Sequence, residues 1–159
     1  VGATLAQVKK GLETPSLVKG RLFPIVPCKN LLLLDDSYNA NVGSMKSAIS
    51  VLQKYSAFRV FVVGDMAELG DNTPLCHQDV GEFARAAKLD LVISFGRDSA
   101  AISAVNLGRH FTDKKELVAY LTPIIKQQLT QQKIVVLVKG SRSMKMEDVI
   151  DLLKDNFLC

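Results

Sequence analysis

The chain has 159 residues, of which 48% are hydrophobic and 23% charged, with a net charge of +4. That is the balance of an ordinary globular protein with length for one sizeable core. The lysines are scattered and no basic block alternates with aromatics, so a nucleic-acid partner is not expected, and no apolar run reaches the roughly 18 residues of a membrane span.

In chain order, residues 4–12 carry Leu5, Val8 and Leu12 at helical spacing, and 13–20, with Pro15 and Ser16, read as a linker. Residues 21–28 alternate weakly around Phe23, Ile25 and Val26. Pro24 and Pro27 make that run an edge strand, able to pair as a hairpin with 31–34 across Lys29-Asn30. Leu31-Leu32-Leu33-Leu34 is apolar without alternation, the pattern of a strand covered on both faces.

A helix from Ser44 then buries Met45, Ala48, Ile49 and Leu52, and 59–63 form a second buried strand closed by Gly64. Thr73 caps a third helix with Pro74 at its first position, and Cys76, Val80, Phe83, Ala84 and Ala87 fall on one stripe. Residues 91–95 are a strand ending at Gly96, followed by a short helix to Val105 and a brief strand at 110–112. Asp113 and Glu116 open a helix running to about Leu129, which Pro123 should kink or split. After the strand 134–138, the last helix carries Met146, Val149, Ile150, Leu153 and Phe157 on one face. Strands separated by helices imply right-handed crossovers, so the expected fold is a Rossmann-like three-layer α/β domain, its sheet mostly parallel with helices on both faces.

Three cysteines, Cys28, Cys76 and Cys159, have no CxxC or Cys/His spacing, which reads as free thiols in a reducing compartment and not as a metal site. Val1 is not an initiator Met and begins no signal pattern, so the chain resembles a piece cut from a longer protein.

A parallel sheet gathers its strand C-termini on one edge, where ligands bind. Four polar loops leave there: 35–41, 64–70, 96–99 and 139–143. The opposite edge has only short solvated connections at 53–56, 88–90 and 131–133. Each loop also has a plain structural account. Asp35 or Asp36 can cap a turn, Tyr38 can lie on the core, Asp65 and Glu68 can face water, and 96–99 make a turn with an N-cap. Lys139-Gly140-Ser141-Arg142 is sharper, because two cations flank a glycine and a hydroxyl at a strand-to-helix turn that already favours an anion. His77 reads as structural. The chain has neither G-x-x-x-x-G-K-[ST] nor G-x-G-x-x-G, so a nucleotide here would be held by base and ribose or shared with another domain.

Taken together, Asp35-Asp36-Ser37-Tyr38-Asn39-Ala40-Asn41 with Ser44-Met45, Val63-Gly64-Asp65-Met66-Ala67-Glu68-Leu69-Gly70, His77 with Val80-Gly81, and Lys139-Gly140-Ser141-Arg142 ahead of Met146-Glu147 resemble the C-terminal domain of the Mur ligase family. The likeness is to its D-alanyl-D-alanine-adding branch and runs from Gly20-Arg21 to the last helix. Val42 departs from it, standing where the family pattern has proline.

The resemblance implies that residues 1–19 are the tail of a central ATPase domain with its linker, and 20–159 the Rossmann-like C-terminal domain. It implies a cytoplasmic ATP-dependent ligase that activates UDP-MurNAc-tripeptide as an acyl phosphate, which the amine of D-alanyl-D-alanine attacks. Asp36, Tyr38, Asn39 and Asn41 would meet the ATP ribose and adenine, and Arg21 the phosphates. Asp65, Glu68, Lys139, Ser141 and Arg142 would lie towards the peptide and dipeptide. The family's central domain would hold Mg²⁺ and most of the ATP, and its N-terminal domain the UDP sugar, leaving this fragment without catalytic residues or metal ligands and inactive alone. Two other readings stay open. One is another Mur-ligase relative such as a folylpolyglutamate synthase; the other is a free-standing, non-catalytic nucleotide- or anion-binding module. The residues preceding Val1 discriminate, through the presence or absence of a phosphate loop.

Overall fold

The computed structural model describes residues 2–13 and 17–158. Val1, residues 14–16 of the expected linker and Cys159 lie outside them, as do the side chains of residues 10–13, Leu12 among them. After helix α1 (Leu5–Glu13), strands β1 (Phe23–Cys28), β2 (Leu31–Asp36), β3 (Phe58–Gly64), β4 (Leu91–Phe95), β5 (Arg109–Phe111) and β6 (Ile134–Lys139) form one sheet in the order β1-β2-β6-β3-β4-β5. β1 pairs antiparallel with β2 as the expected hairpin, with Asn30 at φ 69° in the turn, and the other pairings are parallel.

The helices α2 (Val42–Gln53), α3 (Thr73–Ala86) and α4 (Ala100–Val105) cover one face, through Met45, Ile49, Leu52, Val80, Ala84 and Ile102. The other face carries α5 (Lys114–Leu129) and α6 (Glu147–Phe157), through Leu117, Leu121, Ile125, Val149 and Leu153. Each central strand is therefore buried on both sides, which is why its sequence runs apolar without alternation. The three-layer α/β architecture is as expected.

Several boundaries differ from the sequence reading. β2 and β6 run on through Asp36 and Lys139, because parallel pairing continues to the register pair Asp36–Lys139. The polar residues at these ends are strand residues, held in strand geometry. Helix α2 starts at Val42, two residues before Ser44. Asn41 is its N-cap and Ser44 its third residue, and each side chain bonds the other's backbone N–H. At α3 the cap position is Asn72, not Thr73, because a 3-10 turn at Gly70–Asn72 leads straight into the helix. β5 begins one residue early, at Arg109. α5 is not split at Pro123, which lies on the exposed side together with Ala119, so the carbonyl that Pro123 leaves unbonded faces water.

Candidate functional site

Strand alternation decides where the polar ends point. In β2, Leu31 and Leu33 face α5 and α6 and Leu34 faces α2, so Asp35 falls on the α6 side and Asp36 on the α2 side. By the same count Lys139 follows Leu137 and shares the α2 side with Asp36. Lys139 Nζ donates to Asp36 Oδ2 at 2.7 Å and to the carbonyl of Asn39 at 2.9 Å, with the Lys139 side chain only 4% exposed.

The segment leading into β1 is bonded to these carboxylates. Gly20 N–H donates to Asp35 Oδ2 at 3.2 Å and Leu22 N–H to Asp36 Oδ1 at 3.1 Å, while Tyr38 N–H donates to the Gly20 carbonyl at 3.0 Å. The Arg21 guanidinium stacks 4.6 Å above the ring of Tyr38, which is half exposed.

These contacts shape a cleft of about 480 Å³ lined by Arg21, Asp36, Tyr38, Asn39, Asn41 and Lys139, with Gly20, Leu22, Ala40, Ser44, Ser47, Ala48 and Val51. All five residues expected at ATP border this one cleft. Its other wall, Ser44, Ser47, Ala48 and Val51, went unread as a site, although the i, i+3, i+4, i+7 spacing marks one face of α2. A wall of small side chains, two of them hydroxyls and two apolar, facing amides and a phenol suits a purine and its ribose.

A second cleft of about 360 Å³ shares the 39–41 wall and adds Ala67, Glu68, Leu69, Ser141, Arg142 and Ser143. It brings Glu68, Ser141 and Arg142 together as the sequence implied. Lys139 lies instead on the first cleft, bonded to Asp36. Glu68 is exposed and holds a left-handed backbone, φ 62°. Arg142 Nη1 lies 2.8 Å from Glu147 Oε1, a partner that sequence reading did not assign.

Asp65 serves the loops and is not turned to either cleft. Its carboxylate accepts the N–H groups of Arg97, Asp98 and Ser99 at 2.8, 3.1 and 2.8 Å, and its carbonyl accepts Ser141 N–H at 2.9 Å. Burial pushes this carboxyl up, but the N–H groups of Arg97, Ser99 and Asp98 outweigh it and hold it below the usual carboxylate range. Gly96, at φ 131°, makes room, since a Cβ there would overlap the Asp65 carboxylate. His77 is fully buried: Nε2 accepts Met66 N–H at 3.0 Å, so Nδ1 carries the proton and donates to the Thr73 carbonyl at 2.8 Å. It braces the 64–70 loop, in keeping with a structural role.

A parallel sheet with an antiparallel edge hairpin, and two clefts on its carboxyl edge, define the class. A family model described as "Mur ligase, glutamate ligase domain" matches residues 20–142, and the chain belongs to that family. It is 59% identical, over 100% of its length, to the UDP-N-acetylmuramoyl-tripeptide–D-alanyl-D-alanine ligase of Haemophilus influenzae, and 53% identical to that of Escherichia coli. It spans 35% of each of those relatives. Among solved structures, MurF from Acinetobacter baumannii superposes with a TM-score of 0.88 at 34% identity, over 97% of this chain and 34% of that one.

Proposed function

We propose that this chain is the C-terminal domain of a cytoplasmic ligase that joins D-alanyl-D-alanine to UDP-MurNAc-tripeptide at the expense of ATP. The observation that carries the reading is that the two clefts share one wall. Residues 39–41 border both the cleft of about 480 Å³ and that of about 360 Å³. A ligase of this type passes the γ-phosphoryl group to a peptide carboxylate, giving an acyl phosphate; the amine then attacks that carbonyl and phosphate leaves. Nucleotide and amine must therefore be held side by side.

On this reading Tyr38, Asn39, Asn41 and the α2 face hold base and ribose, and Arg21 leans towards the phosphates. The Asp36–Lys139 pair sets the floor of the cleft and anchors the Asn39 carbonyl. Ser141 and Arg142, with Glu68 opposite, receive the dipeptide or peptide carboxylates. Asp65 positions Ser141 through its carbonyl and needs no contact with substrate. Asp36, the one carboxylate lining the nucleotide cleft, is engaged by Lys139 Nζ and by Leu22 N–H and is not free to ligate Mg²⁺. Metal and phosphate-loop chemistry are assigned to the preceding domain. Residues 1–19 read as the tail of that domain, because Leu5 and Val8 stand 86% and 45% exposed on an amphipathic helix. No helix among the described residues is long and apolar enough to cross a membrane.

The test is steady-state kinetics on the complete ligase carrying Asn39→Ala. Loss of one neutral hydrogen bond should raise KM for ATP about 2- to 12-fold. The melting temperature should fall little, because Asn39 is exposed and its side chain accepts one local bond, from Ala40 N–H at 2.8 Å. An unchanged KM for ATP would count against the nucleotide reading of this cleft.

A further inference from the structure

We propose that Glu147 is a positioning residue, which holds Arg142 in one pose so that the free edge of its guanidinium receives the carboxylate of a small peptide amine in the cleft of about 360 Å³. The inference rests on the reading of Arg142 given above and adds the residue that sets its geometry.

The argument begins with the backbone. Arg142–Met144 form a 3-10 turn, after which Lys145 adopts a left-handed conformation, φ 47°. Two bonds pin that bend: Lys145 N–H donates to the Arg142 carbonyl at 3.3 Å, and the Lys145 carbonyl accepts Lys114 Nζ at 2.7 Å. Met146 is fully buried and seats against the backbones of Gly64 and Gly140, where a Cβ on Gly140 would come within 2.7 Å of Met146 Cγ. The first residue of α6 is thus fixed, and its side chain reaches back to Arg142 across five positions.

The pairing is one-pointed. Glu147 Oε1 meets Nη1, while Glu147 Oε2 is buried with no hydrogen-bond partner among the described residues. If Arg142 swung fully to a ligand, the carboxylate would lose its cation while its second oxygen stayed desolvated. The exposure of the pair, 61% and 32%, keeps that cost small, but it is enough to favour the paired pose. Arg142 therefore keeps Nη1 on Glu147. Arginine has five N–H donors, and the edge formed by Nε and Nη2 still offers two parallel ones, the fork that fits a carboxylate.

The clefts agree with this division. Arg142 borders both the cleft of about 360 Å³ and a smaller one of about 270 Å³ beneath the lead-in segment, whereas Glu147 borders only the smaller. Glu147 holds the guanidinium from one side of the ridge, and the ligand approaches from the other.

Glu147 also sits at a helix N-terminus, where any acid is favourable, so the test separates reach from charge. In the complete ligase, Glu147→Gln and Glu147→Asp are each assayed for KM with D-alanyl-D-alanine, KM with ATP, and melting temperature. Aspartate keeps the charge at the helix start but is too short to hold Nη1. Both variants should raise KM for D-alanyl-D-alanine on the order of tenfold, with KM for ATP unchanged, and Glu147→Gln should add nothing further in an Arg142→Lys background. Normal dipeptide KM in both variants would overturn the proposal, as would parallel loss of both substrates with a lowered melting temperature. If Arg142→Lys alone leaves the dipeptide KM untouched, the underlying reading of Arg142 fails, whatever Glu147 does.

Discussion

Lys139 Nζ stands 2.7 Å from Asp36 Oδ2 across 103 residues of sequence, and the two occupy one register position on adjacent parallel strands. The pair is nearly dry, its side chains 4% and 13% exposed. A charge left alone there is poorly hydrated, and removing one partner of such a pair costs about 3–5 kcal/mol.

Asp36→Ala and Lys139→Ala should each lower the melting temperature by roughly 10 °C. The double replacement Asp36→Ala with Lys139→Ala should lose much less than the two single losses added together. Thermal melts of the four proteins form the cycle. Additive losses would mean that the pair is not coupled.

From sequence alone Asp36 is a ligand group on a loop; in the structure it is also the partner of Lys139, and the reason is topological. β6 inserts between β2 and β3, so the Lys139 ammonium reaches Asp36 only through a strand order that no local pattern reveals. The strands themselves were legible, because runs such as Leu31–Leu34 and Ile134–Val138 are apolar on both faces. The site edge was legible too, since polar loops cluster at the strand C-termini. The partner of Arg142 was not, because it depends on the left-handed turn at Lys145. Nor was the work of Asp65, whose carboxylate is taken by a turn some thirty residues away, 32 to 34 in sequence. Pro123 does not end the helix, and the carbonyl of Ala119 that it leaves unbonded lies on the exposed side.

Asp65 supplies a pH signature. Its folded-state pKa lies below the ordinary value of 3.8, so it contributes stability that is fully present above that value and fades as pH falls through the lowered pKa. Asp65→Asn should be less stable than the parent at neutral pH, and the gap between them should close below about pH 4. Chemical denaturation across pH 2–7 reads it, and a gap independent of pH would refute the assignment. Gly96→Ala, which crowds the same carboxylate at a strained φ, should cost about 1–3 kcal/mol.

Val42 is the first residue of α2, directly after the cap, where proline loses no helical hydrogen bond. Asn41 already has the extended backbone that a residue before proline prefers, φ −143° and ψ 170°. Val42→Pro should therefore stabilise the domain by about 0.4–1 kcal/mol, raising the melting temperature by a few degrees. A drop would show that the partly buried Val42 side chain matters more than chain entropy.

Phosphate release by the complete ligase, supplied with ATP, Mg²⁺ and UDP-MurNAc-tripeptide and offered one amine at a time, tests the proposed function most directly. Release should follow addition of D-alanyl-D-alanine, should not follow addition of glutamate, and should be absent when this chain is assayed alone. Turnover driven by glutamate and not by the dipeptide, or Mg²⁺-dependent turnover by the isolated chain, would contradict the account.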